Sequence, residues 1–158
     1  MKLYMQQKVF SWRDRFSITD EFGVERYHAE SEGLSFGKRL HLTDINGNEL
    51  AFIYERFMSF RPRYFVSQYG QTIAEVVKEF RLFKPLYRID GLGWRVEGEV
   101  FDHDYVLLDQ NGFTVATVSK AWLTWGDAYE IDITMDADPV IALAVVLVID
   151  AALERSNY

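Results

Sequence analysis

Six short stretches of this sequence share one pattern: an aromatic residue, three mostly polar residues, a second aromatic residue or leucine, then an alternating apolar position. They are "WRDRFSI" from Trp12, "FGKRLHL" from Phe36, "FRPRYFV" from Phe60, "FKPLYRI" from Phe83, "FDHDYVL" from Phe101 and "WGDAYEI" from Trp125, spaced by 24, 24, 23, 18 and 24 residues. A repeat of this length marks one supersecondary unit used several times. Between the stretches lie turns of a second kind: "DEFG" at Asp20–Gly23, "DINGN" at Asp44–Asn48, "QYG" ending at Gly70, "DGLG" at Asp90–Gly93 and "DQNG" at Asp109–Gly112. Gly and Asn accept the positive φ of a tight hairpin. The unit is therefore strand, Asp/Gly turn, strand, aromatic turn. It predicts twelve strands, at 5–10, 15–19, 24–29, 39–43, 49–55, 63–67, 72–78, 86–90, 93–99, 104–108, 113–119 and 128–133. An aromatic content of 16% favours strands as well. In "TIAEVVKEF", Ile73, Val76, Val77 and Phe80 also fit helical spacing. The place of this stretch between two turns assigns it to a strand.

Twelve antiparallel strands form a sandwich or a closed barrel, and closure leaves no edge to aggregate. Side chains alone fill an eight-stranded barrel, so twelve strands leave a wider lumen. The sequence supplies a filling. Pro139 to Ile149 are eleven consecutive residues without a polar side chain. As a helix they span roughly 16 Å, about half the hydrocarbon core of a bilayer. Asp138 suits the N-cap, Pro139 suits the first helical position, and Asp150 closes the run. A helix apolar on every face yet too short to cross lipid is a buried one. The expected fold is mainly β: a closed twelve-stranded antiparallel β-barrel around a buried C-terminal hydrophobic α-helix at about 139–154. Residues 1–158 form a single domain in this reading.

The chain has no cysteine, and "MKLYMQQKVF" lacks the uninterrupted apolar stretch of a signal peptide. A cytoplasmic protein without a transmembrane segment is expected. The net charge of −7 argues against a nucleic-acid partner. Charge is uneven, with 14 Lys/Arg against 11 Asp/Glu in residues 1–88 and 3 against 13 in residues 89–158. An anion-binding surface would therefore come from the first half. His28, His41 and His103 are too scattered for a metal site. "DINGNE" alternates Asp44, Asn46 and Asn48 like a calcium loop, but Glu49 stands where such a loop needs Gly, so a hairpin turn is the better reading. No nucleophile elbow, P-loop or dinucleotide fingerprint is present, and the expectation is no enzyme, no cofactor and no metal.

Several stretches, "KVFSWRDRFSI", "LHLTDINGNELAFI", "AEVVKEF" with "FKPLYRIDG", "VSKAWLTWGDAYEIDI" and "ALAVVLVIDAAL", resemble the LURP-one-related family over nearly the whole chain. That resemblance implies the tubby C-terminal fold, a twelve-stranded barrel wrapped on a hydrophobic helix, grouped with the phospholipid scramblases. It assigns no reaction. Tubby domains bind phosphoinositide headgroups through basic side chains, and the pI of about 4.9 departs from that pattern. Scramblases carry a further membrane-inserting segment beyond the barrel. Here the one apolar run is already needed inside the barrel, so lipid scrambling is not expected.

In an up-and-down barrel, alternate turns fall at the same end. The aromatic turns thus bring Arg13, Arg15, Lys38, Arg39, Arg61, Arg63 and Lys84 toward one rim, with Asp14 among them and Asp102, His103, Asp104 and Asp127 nearby. Lys38, Arg39, Arg61, Arg63 and Lys84 are the candidate ligand-binding residues, for an anionic lipid headgroup or phosphate held peripherally. The alternative is that the aromatics cap the core and the charges are solvated or paired across the rim. Asp150 either lies at the barrel mouth or is buried against a cation such as Arg95 or Lys120. The functional expectation is a non-enzymatic tubby-like binding or scaffold module, with a protein–protein interaction module as the alternative to lipid binding and an enzyme of unrecognised type as the third reading.

Overall fold

The computed structural model describes residues 1–8, 14–33, 37–57, 62–82, 84–121 and 128–156, and leaves out the side chains of 57, 62, 80, 81, 84, 85, 155 and 156. Twelve strands are present: β1 (Lys2–Lys8), β2 (Arg15–Asp20), β3 (Glu25–Ser31), β4 (Arg39–Asp44), β5 (Glu49–Phe57), β6 (Pro62–Gln68), β7 (Gln71–Arg81), β8 (Lys84–Asp90), β9 (Trp94–Glu99), β10 (Asp104–Leu108), β11 (Thr114–Ala121) and β12 (Ala128–Ile133). One helix, α1 (Pro139–Ser156), follows, and a short 3₁₀ turn at Val100–Asp102 joins β9 to β10. Each strand pairs antiparallel with the next, and β12 returns to β1, so the sheet closes on itself. The helical spacing in "TIAEVVKEF" is overridden by tertiary context, because β7 pairs with β6 over residues 71–76 and with β8 over residues 75–81.

Period-two alternation sets which side chains enter the lumen. In β4, Leu40 and Leu42 point in while Arg39 and His41 face out. In β1, Leu3 and Met5 are buried. β1 begins earlier than its sequence pattern suggests, because closure pairs Lys2 with Asp132 and the terminal ammonium donates to Ile133 O at 2.6 Å.

The Asp/Gly turns are built alike. Oδ1 of Asp20 accepts from the N–H groups of Phe22 and Val24, that of Asp44 from Asn46 and Asn48, and that of Asp109 from Asn111 and Phe113, all at 2.8–2.9 Å. Gly23, Gly47 and Gly112 supply the left-handed residue in these three turns, with φ of 77, 84 and 84°. Beside four of the five turns the register shifts by a bulge, at Ile18/Thr19, Leu42/Thr43, Val66/Ser67 and Leu107/Leu108. Bulges add local twist and curvature, which a sheet needs in order to close.

The lumen is filled by α1. Asp138 caps it, with Oδ1 accepting from Val140 N at 2.9 Å and Ile141 N at 3.4 Å. Ala142 through Leu153 are all buried, on every face of the helix. They pack against Leu3, Met5, Ile18, Leu40, Leu42, Ile53, Ile89, Leu107 and Ile131 of the barrel wall. The helix lies nearest β5, β6 and β7. Because α1 starts at the Asp/Gly end of the barrel, its C-terminal turn emerges at the aromatic rim.

Candidate functional site

The aromatic rim holds a partly buried polar cluster where α1 ends. Nζ of Lys38 donates to Asp14 Oδ2 at 2.5 Å and to Glu154 Oε2 at 2.6 Å, joining the β1–β2 and β3–β4 connections to the helix. Nε2 of Gln7 adds a 3.3 Å bond to Glu154 Oε1. Burial opposes the charge on Lys38, but its hydrogen bonds to Asp14 and Glu154 outweigh that and hold its pKa above the ordinary value. The macrodipole of α1 also favours a cation at this end. The Lys38 backbone N–H meanwhile donates to Oε2 of buried Glu55 at 2.9 Å.

Asp150 lies one helical turn before Glu154 and is 7% exposed. Burial, then the charge of Glu154, push its pKa up to about 7; Lys38 pulls it down and Asp14 raises it further. The two cations considered for it from sequence face elsewhere. Strand alternation puts Arg95 on the outer wall against Glu97, and Lys120 is exposed near the end of β11. Tyr64 and Tyr87 line the same region, and burial pushes both phenols up to about 12.

Three of the five basic candidates, Lys38, Arg39 and Arg63, have described side chains. Lys38 turns inward. Arg39 and Arg63 lie on the outer wall, while Arg61 and the side chain of Lys84 lie outside the described residues, as do Arg13 and the aromatics at 12, 36, 60 and 83. Arg39 Nε meets Glu32 at 2.9 Å, Arg63 Nε meets Glu75 at 2.6 Å, and Arg15 pairs with Glu30 at 3.0 Å.

On the outer wall over β4–β6 the structure assembles a ladder of stacked rings. His41 stacks on Phe52 at 4.8 Å, Phe52 on Tyr54 at 5.4 Å, and Tyr54 on Phe65 at 5.3 Å. Arg39 lies over Phe52, Arg56 over both Tyr54 and Phe65, and Arg63 over Phe65, at 5.1–5.8 Å. His41 bridges Glu32 and Glu49 at 2.7 and 2.5 Å; burial works against its charge, but the two carboxylates prevail and raise its pKa. Arg56 has no carboxylate partner among the described residues. Sequence reasoning missed Arg56 and this ladder. The signal lay in "ELAFIYERF", where Phe52, Tyr54 and Arg56 alternate onto one face.

A family model described as LURP-one-related matches residues 1–150. The uncharacterized protein YxjI of Bacillus subtilis (strain 168) is 37% identical over 153 residues, covering 97% of this chain and 94% of that protein. Among solved structures, the Arabidopsis thaliana protein AT5G01750 superposes with a TM-score of 0.63 at 15% identity, covering 99% of this chain and 92% of that one; the likeness is one of fold. With the family model spanning nearly the whole chain and a relative matched from end to end, the chain belongs to the LURP-one-related family.

Proposed function

We propose that this chain is a non-enzymatic binding or scaffold module that recognises other proteins from the outside of its barrel. The observation that carries this reading is the occupancy of the lumen. α1 is buried on every face, so the space that a ligand-carrying barrel would offer is taken by the chain itself. Binding is left to the outer wall and the two rims. A defined partner found by cross-linking in cells is expected to re-form a stoichiometric complex when both proteins are purified and mixed. A chain that stays free of every such candidate contradicts the reading.

A second reading, anion binding through Lys38, Arg39, Arg61, Arg63 and Lys84, draws support from the outer ladder. The Arg56 guanidinium lies over two aromatic rings, an arrangement suited to an anionic headgroup or phosphate at an interface. The carboxylates beside Arg39 and Arg63 work against it. Sedimentation with phosphatidylserine or phosphoinositide vesicles, at low and physiological salt, separates the two readings. Headgroup binding predicts salt-sensitive sedimentation that Arg61→Gln with Arg63→Gln weakens. No sedimentation at low salt removes it.

A further inference from the structure

Among the described residues, most of the exposed large hydrophobic side chains lie at the opposite end of the barrel, where the Asp/Gly hairpins are. Seven of the nine large hydrophobic side chains exposed among the described residues are there: Met1, Phe22, Val24, Ile45, Tyr69, Phe113 and Met135. Phe22, Tyr69, Phe113 and Met135 are 82, 89, 71 and 97% exposed. Successive hairpins around the rim stand about 10 Å apart, two strand spacings. The tips therefore form a ring of separate apolar knobs, in place of the polar tips usual for tight turns.

Two details mark these knobs as more than incidental. Tyr69 sits at φ 49°, a left-handed conformation in which a bulky residue is an outlier and Asn or Gly the natural choice. Its side chain makes no part of the core, so the turn keeps an unfavourable residue whose ring is presented to solvent. Surface depressions also lie beside the knobs. One of about 280 Å³ is bordered by Met1, Leu3, Phe22 and Tyr27, and one of about 180 Å³ by Phe52, Ser67 and Tyr69.

Charge identifies the occupant. The cations near this end are already matched: Lys2 with Glu130, Arg26 with Asp20, Arg88 with Asp90 and Arg95 with Glu97. Glu21, Asp44, Asp109, Asp136 and Asp138 have no cationic partner among the described residues. Glu21 adjoins Phe22, Asp44 adjoins Ile45 and Asp136 adjoins Met135 in sequence, so apolar knobs alternate with uncompensated carboxylates. Two copies meeting end to end would press like charges together, and an anionic bilayer would repel the same ring. We propose that the hairpin end is a docking face for a protein segment that presents apolar side chains flanked by lysine or arginine. This inference rests on the reading of the chain as a protein-interaction module and names the face and the chemistry of its partner.

The test uses the full chain and a synthetic amphipathic Lys/Leu peptide, with a Lys/Ser peptide of equal charge as control, followed by fluorescence anisotropy. The wild type is expected to bind the Lys/Leu peptide, and Phe22→Ser/Tyr69→Ser/Phe113→Ser to lose about tenfold or more in affinity, as removal of apolar anchors does. A second variant, Glu21→Gln/Asp136→Asn, leaves the turn-capping aspartates in place and is expected to flatten the salt dependence of binding. No binding of the Lys/Leu peptide, or equal binding of Lys/Leu and Lys/Ser peptides, overturns the proposal. Lys/Leu binding that ignores the triple substitution overturns the face while leaving the interaction module standing. Sedimentation with phosphatidylcholine vesicles, or self-association, that the triple substitution abolishes reassigns the face to a lipid surface or to a second copy.

Discussion

Asp150 is a carboxyl whose titration burial displaces far from its ordinary value, and the sign of the effect on stability follows. Unfolded, it titrates near 3.8; folded, near about 7. Between those values the folded chain holds a proton that the unfolded chain lacks, so stability falls as pH rises through the window and levels off above it. Asp150→Asn removes the carboxylate and is expected to stabilise by up to about 4 kcal/mol near pH 8 and very little near pH 4. Denaturant midpoints of both proteins at the two pH values check this; a gain independent of pH contradicts it. Lys38 plays the compensating part. Its side chain is 21% exposed, between the limits of surface and buried pairs, so Lys38→Met is expected to cost about 1–3 kcal/mol. Adding Glu154→Gln should recover part of that loss, because one fewer carboxylate then lacks its cation. The sequence offered burial of Asp150 as one of two alternatives, but not the cluster around it. Lys38 was a rim cation by position, and only the strand geometry turns it inward to Asp14 and Glu154.

At the scale of elements, most of the architecture was written in local pattern. The Asp/Gly spacing located the hairpins because Asp20, Asp44 and Asp109 cap their own turns, an interaction complete within five residues. The N-cap at Asp138 was legible for the same reason. What escaped was the cross-strand assembly. The stacking of His41, Phe52, Tyr54 and Phe65 depends on the register of β4, β5 and β6, which no single stretch contains. Gly98 is another such case. Its φ is 123°, and a Cβ there would lie 2.6 Å from the carbonyl oxygen of Asp104 and 2.8 Å from Tyr105 Cα, on the paired strand β10. Gly98→Ala is therefore expected to destabilise by roughly 2 kcal/mol or more, combining a strained backbone with a clash against main chain. Thermal unfolding of the purified variant measures it, and an unchanged midpoint would contradict the register of β9 on β10.

For the whole molecule, the consequence of the fold is that inside and outside have separate tasks. The inside holds the barrel together through α1, in which Ala142, Leu143, Ala144, Val145, Val148 and Ile149 are fully buried. Val145→Asp places a carboxylate among apolar walls at a cost of several kcal/mol, comparable to the stability of a domain, and is expected to prevent folding. The outside carries the two features that suit recognition, the ring-and-arginine ladder on β4–β6 and the acidic apolar ring at the hairpin end. Among the described residues no helix is long and apolar enough to cross a membrane. That agrees with the role of α1 as a filling, since its apolar run is too short for a bilayer.

Native-state hydrogen exchange of α1 tests the central claim most directly. If the helix fills the closed barrel, the amides of residues 142–153 can exchange only when the barrel opens. They are then predicted to exchange with the same free energy as the slowest amides of β4, β5 and β12, and to respond to denaturant with the full slope of global unfolding. Helix amides that exchange by local opening, well below the free energy of the strands, would mean that α1 leaves the lumen without unfolding the barrel and would contradict the account.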